Sequence, residues 1–252
     1  MRVVFPMSVS TVPRVESVQI YVAFDCLFDR VGMDYAEERG QSGCRVIQFG
    51  GTHVIAGSEV FAWGMPDFEA CMALRPSVRG VVVYPDDLAE DDWSQAYDLA
   101  ACDSRVAMIA ISCGATESSR VQFIMRLVRS GKFCTAKPHW LYGFHNPAEL
   151  SVYRTRFLPF IYSKIDVAVC SSCFIYSAYG VEFSESVGVV EPIPDVCGHR
   201  SSDLGMAPWL HYNLRREQLR GFQDNMALVQ AFAHGTVVAS EYVESLMEGV
   251  HG

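Results

Sequence analysis

The sequence predicts an α/β fold built on a parallel (β/α)8-type barrel, with room for an irregular or incomplete one, and three observations carry that expectation. From residue 78 onward, short apolar runs alternate with longer segments of helical spacing. The apolar runs are near-continuous, the mark of strands buried on both faces of a parallel sheet covered by helices. No glycine-rich dinucleotide loop follows any of them, which favours the barrel over the alternative, a doubly wound open sheet.

The elements follow in order. "VQIYVAF" (18–24) and "RVIQF" (45–49) read as strands, and a helix is expected at 67–75. "VRGVVVY" (78–84) is a strand, and "AEDDWSQAYDLAAC" (89–102) places Trp93, Ala96, Tyr97 and Ala100 at helical spacing. "RVAMIAIS" (105–112) is the next strand, and the amphipathic "ESSRVQFIMRLVRSG" (117–131) closes at Gly131. "HWLYGF" (139–144) is followed by Asn146-Pro147, a cap and first-turn proline that open the helix "PAELSVYRTRFL". "KIDVAVC" (164–170) is the sixth clear strand. An eight-strand closure needs two more, expected around His53–Ile55 and Val60–Trp63 or after 180. Residues 188–208 are rich in Gly, Pro and Ser and read as loop, ahead of helices at 214–232 and 240–249. The expected organisation is a single domain over 1–252. Its barrel core spans 14–182, and 183–252 supply a loop and a C-terminal helical appendage.

Half of the 252 residues are hydrophobic and 19% are charged, so a substantial core is expected and disorder is not. The net charge of −9 argues against a protein that coats nucleic acid through a basic surface, leaving a local patch as the route to any such contact. The nine cysteines are odd in number and sit mostly inside apolar segments. That pattern fits buried free thiols in a reducing cytoplasm better than a disulfide framework. Met1 to Thr11 makes a poor signal peptide, and no apolar run of about 18 residues predicts a membrane span.

In parallel βα folds ligands bind at the C-terminal ends of the strands. Those ends here are Phe24-Asp25, Phe49-Gly50-Gly51, Pro85-Asp86-Asp87, Ser112-Cys113-Gly114, Phe144-His145-Asn146 and Cys170-Ser171-Ser172. Asp86 and Asp87 read either as helix caps or as an acid/base or hydroxyl-binding carboxylate. His145 reads as an ordinary loop histidine or as a general acid/base. Gly50 and Gly51 would let a ligand approach the backbone, or form a turn. Cys170-Ser171-Ser172-Cys173 has three readings. It is a redox pair at a helix start, half of a zinc site completed by Cys197 and His199 at an atypical Cys-x-His spacing, or a strand end with one small residue at the barrel mouth. No cofactor is expected otherwise.

Five stretches belong together: "PHWLYGFHNPAEL", with Gly143 near a strand end before a Pro-Glu helix; "IDVAVCSSCFIYSAYG", a later strand followed by serines; "HYNLRREQL" (211–219); "IQFGGT" (47–52); and "VVVYPDDLAEDDWSQA" (81–96). Together they resemble the tRNA-guanine transglycosylase superfamily, whose phage and bacterial relatives insert 7-deazaguanine bases into DNA. The resemblance covers about 60% of the chain in short pieces. It implies a barrel that exchanges a guanine or 7-deazaguanine base in tRNA or DNA. In that chemistry an aspartate nucleophile displaces guanine from C1′ and a second aspartate moves protons. At the two decisive positions this chain has Gln48 and Cys170 (or Val169), and the family's Cys-x-Cys-x-x-Cys zinc ligands are absent.

Three functions are therefore expected to compete. The first is a pentosyltransferase with Cys170, Asp86, Asp87 and His145 in catalytic places. Gln48, Gly50, Gly51, Cys113, Gly114, Gly143 and Ser171 would line its base and nucleic-acid site. The second is the same barrel without turnover, binding a base, a nucleic acid or a protein. The third is another barrel enzyme acting on a small metabolite through Asp86 or Asp87 with His145.

Overall fold

The computed structural model describes residues 2–4, 20–24, 45–50, 58–74, 78–85, 91–157, 164–169, 176–177, 180–190 and 216–251. Eight strands lie in one all-parallel sheet that curls as a half-barrel: β1 (Arg2–Val4), β2 (Ile20–Phe24), β3 (Arg45–Phe49), β4 (Glu59–Ala62), β5 (Val78–Val83), β6 (Met108–Ser112), β7 (His139–Tyr142) and β8 (Ile165–Val169). Their order, β1-β8-β7-β6-β5-β4-β3-β2, is that of a ring opened between β1 and β2. No β1–β2 ladder joins the two edges among the described residues. Among the described residues six helices accompany them: α1 (Met65–Leu74), α2 (Gln95–Cys102), α3 (Ser119–Arg129), α4 (Glu149–Arg156), α5 (Arg216–His234) and α6 (Ser240–His251).

The strand expected at Val60–Trp63 is β4, and the one expected around His53–Ile55 falls outside the described residues. The eighth strand comes instead from the extreme N-terminus. Arg2, Val3 and Val4 pair in register with Val167, Ala168 and Val169 of β8, so the sheet begins before residue 14. A three-residue strand is too short to show periodicity, which is why the sequence did not disclose it. The C-terminal helices are also less of an appendage than expected, because α5 packs against β1 and α4, and α6 packs against α4.

Strand alternation divides the buried side chains into two sets. One set fills the concave face with rings. Phe49 of β3 stacks on Phe61 of β4 at 5.0 Å, and Phe61 meets Trp140 of β7 at 5.0 Å. Phe49 reaches Tyr142 of β7 at 4.6 Å, although three strands lie between them in the sheet. Contact over that span requires the sheet to curl around the rings. Gly80 on β5 makes room for this packing: a Cβ there would lie 2.3 Å from the Phe61 ring. The alternate residues, among them Val81, Ile109, Ile111 and Leu141, are completely buried on the face covered by helices.

At the opposite end of β7 from the expected site, His139 is fully buried and stacked on Phe133 at 4.4 Å. Its Nε2 shares a 2.8 Å hydrogen bond with the Tyr97 hydroxyl, which accepts the Cys134 N–H at 2.8 Å. Burial pushes the imidazole down to about 4. The unfolded chain takes up this proton below about pH 6.5, the folded protein only near pH 4. Stability is therefore expected to fall as the pH drops through that window, by about 3 kcal/mol in full. Urea unfolding at stepped pH values should show this loss in the wild type. A His139→Phe variant should lack that part of the slope.

Candidate functional site

The C-terminal strand ends carry two arrangements that share β7. The first is a shelf of rings. Trp63, the residue after β4, packs on Phe49 at 5.7 Å and on Tyr142 at 5.6 Å, so Phe49, Trp63 and Tyr142 touch one another at the mouth of the curl. Phe49 is fully buried and Tyr142 nearly so, while Trp63 and the neighbouring strand-end residue Tyr84 are half-buried. The rings are inclined to one another by 28 to 66°, and Trp63 is the accessible one, so a planar ligand would stack on Trp63 with Phe49 and Tyr142 packed behind it.

The second arrangement lies on the helix-covered side of the same strand ends. Arg120, on the first turn of α3, is completely buried. Its Nη1 donates to the carbonyls of Ile111 (3.1 Å) and Tyr142 (2.9 Å), and its Nη2 to the carbonyl of Gly143 (2.8 Å). Nε and Nη2 also grip the Glu149 carboxylate at 2.8 and 2.7 Å. All five guanidinium N–H groups are thereby used. The Tyr153 hydroxyl donates to Glu149 Oε1 at 2.5 Å, and the Phe144 ring lies 4.4 Å below the guanidinium carbon. Burial opposes the charge on Arg120, but the Glu149 carboxylate outweighs it and holds the pKa above its ordinary range. Burial, reinforced by Glu149, pushes the Tyr153 hydroxyl well up.

Beside this ion pair, the β6–α3 loop brings Glu117 toward His145 and toward Tyr242 of α6. Burial raises the Glu117 carboxyl, Glu149 adds to that, and His145 opposes it. His145 is buried, with Nε2 3.1 Å from the Gly114 carbonyl; the carbonyl only accepts, so Nε2 carries the hydrogen of that bond. Asn146 and Pro147 were expected as the cap and first turn of α4, but the helix starts at Glu149 with Ala148 as its N-cap, so they form a separate turn ahead of it. The Asn146 Oδ1 accepts the N–H groups of Ala148 (3.0 Å) and Val189 (3.2 Å), and its Nδ2 donates to Val187 (2.7 Å), which ties the 181–190 segment to β7.

The structure places the sequence-derived candidates unevenly. Cys113, Gly114, Gly143 and His145 do come together at the ends of β6 and β7. Gly50 ends β3 and donates its N–H to the Phe61 carbonyl at 2.8 Å. Gln48 is fully buried on the face opposite Phe49. Its amide donates to the Gly50 carbonyl at 3.2 Å and accepts from Ser58 at 3.3 Å, so it braces the β3 turn rather than the shelf. Asp86, Asp87, Gly51, Cys170, Ser171, Cys173, Cys197 and His199 fall outside the described residues. Among the described residues no three His, Cys, Asp or Glu side chains are grouped to hold a metal ion. No described helix is long and apolar enough to cross a membrane. Sequence reasoning missed Arg120, Glu149, Glu117 and Tyr242. The available signal was an arginine at an inward position of the amphipathic helix 117–131, among Val121, Ile124 and Leu127.

No family model, curated protein or solved structure matches the chain.

Proposed function

We propose that the chain is a base-binding barrel of the transglycosylase type, closing between the edge strands β1 and β2, that takes guanine or a 7-deazaguanine base onto Trp63 of the Phe49–Trp63–Tyr142 shelf. The shelf is the observation that carries this reading: three rings in mutual contact at 4.6 to 5.7 Å at the strand ends where parallel βα folds bind ligands. Aromatic faces hold bases by stacking, at about 1–3 kcal/mol per base. The resemblance of the sequence to base-exchanging barrels supports the choice of a purine over other planar ligands.

Binding and exchange are separable. Exchange on tRNA or DNA needs a carboxylate nucleophile, and Asp86 and Asp87, which follow β5 in the sequence, are the candidates for it. Titration of guanine and of 7-deazaguanine, followed by calorimetry, tests the binding reading. Trp63→Ala is expected to weaken the affinity about tenfold, the equivalent of about 1.4 kcal/mol of lost stacking. Wild-type protein that ignores both bases would sink it. Incubation with labelled guanine and tRNA or DNA separates the two forms. Incorporated label that disappears in Asp86→Asn or Asp87→Asn favours exchange, and binding without incorporation favours a non-catalytic module.

A further inference from the structure

We infer that Arg120 is a positioning residue for the ring shelf, fixing from the helix side the strand ends that present Tyr142 and turn at Gly143. The inference rests on the base-binding reading above and deepens it. At the end of a parallel sheet the last carbonyls lose their ladder partners and point toward solvent or a neighbour. Here Arg120 supplies those partners for both strands at once: Ile111 on β6, and Tyr142 and Gly143 at the end of β7. The Tyr142 carbonyl belongs to the same residue whose ring meets Phe49 at 4.6 Å on the other face. Fixing that peptide therefore fixes where the ring stands.

Gly143 sits at φ +69°, a conformation side chains rarely adopt, so the chain leaves β7 in a tight turn whose carbonyl is held by Nη2. The remaining contacts hold the guanidinium itself. Glu149 opens α4 and takes two N–H groups, so a helix sets the plane of the fork. Tyr153, one turn on, orients the carboxylate. A lysine could not reproduce this. Its ammonium is a point charge, whereas the site uses a planar fork serving three carbonyls and a carboxylate. Cys113 reports on the arrangement: it is 8% exposed, and its Sγ lies 3.5 Å from the position of a Gly143 Cβ.

Two substitutions and two readouts test the inference. Arg120→Lys keeps a charge and loses the fork. Arg120→Met combined with Glu149→Leu replaces the ion pair with apolar side chains, an exchange that buried pairs often tolerate in stability, while removing every bond to the strand ends. Guanine affinity and the rate of maleimide labelling at Cys113, followed by peptide mass spectrometry, are measured on protein shown to be folded by circular dichroism. Both variants are expected to bind guanine at least tenfold more weakly and to label Cys113 at least tenfold faster. Asp98→Asn, which breaks an exposed pair with Lys132 and leaves every bond of Arg120 and Glu149 in place, should match the wild type in both. Where Arg120→Lys does not fold, the double variant decides. A folded double variant with wild-type affinity and a protected Cys113 overturns the inference, because it shows that the pair serves stability alone. Faster Cys113 labelling in variants of a protein that never binds guanine would retain the hold on the Gly143 turn and discard the base-binding reading instead.

Discussion

Arg120→Met alone is expected to destabilise the protein by about 3–5 kcal/mol, the scale seen when one partner of a buried pair is removed. Two consequences add. Glu149 is left 1% exposed and charged, with only the Tyr153 hydroxyl in its immediate hold. The carbonyls of Ile111, Tyr142 and Gly143 lose their donor in an interior that cannot offer water freely. Urea unfolding should show the loss as a lowered midpoint with an unchanged slope. Adding Glu149→Leu to Arg120→Met is expected to recover most of it, because the uncompensated charge is then gone. A single-variant loss below about 1 kcal/mol would mean that the site is hydrated or rearranges on substitution.

The second large effect is expected at the rings. Phe61→Ala should cost about 3–5 kcal/mol, since it removes a fully buried ring that touches both Phe49 and Trp140. Its neighbour across the sheet gives a sharper test. Gly80→Ala places a methyl 2.3 Å from the Phe61 ring, and stacking on Phe49 and Trp140 leaves that ring little freedom to move away, so a cost of about 1–3 kcal/mol is expected. In a Phe61→Ala background the same methyl meets the space the ring has vacated, and its cost should shrink or change sign. The double-mutant cycle should yield a coupling of about 0.5–3 kcal/mol. Additive losses would show that the two positions do not share the concave face.

Much of this fold was legible in the sequence because its strands obey one rule consistently. The runs "VRGVVV", "MIAIS" and "IDVAV" are apolar at nearly every position, as strands under two covered faces must be. The elements that escaped were those whose identity is set by partners rather than pattern. Arg2–Val4 is a strand because β8 lies beside it, and three residues carry no period of their own. The candidate site was half legible for a related reason. Glycines and polar residues after apolar runs pointed to Gly114, Gly143 and His145, which lie together at the ends of β6 and β7. Gln48 was a candidate only through the family resemblance, and counting along "RVIQFGG" does not say which residue faces inward; the contacts of Phe49 with Phe61 and Tyr142 decide the phase. Arg120 escaped because arginine in an amphipathic helix normally marks the solvent side. Nothing in the local pattern announces that Glu149, 29 residues on, will meet it in the interior.

The ring assembly on the concave face also gives the folded state an optical identity. Trp63 and Trp140 are two of the four tryptophans in the chain, and each is held against other aromatic rings at separations near 5 to 6 Å. Chromophores so close and so fixed couple their transitions, so this region should contribute strongly to the near-ultraviolet circular dichroism, beside Trp93, which packs edge-on to Phe123 at 5.8 Å. A state that kept its helices and strands but let the rings rotate would retain its far-ultraviolet spectrum and lose that band. The interior of the curl can thus be followed by its own absorption, without any attached label, while the helices around it are still in place.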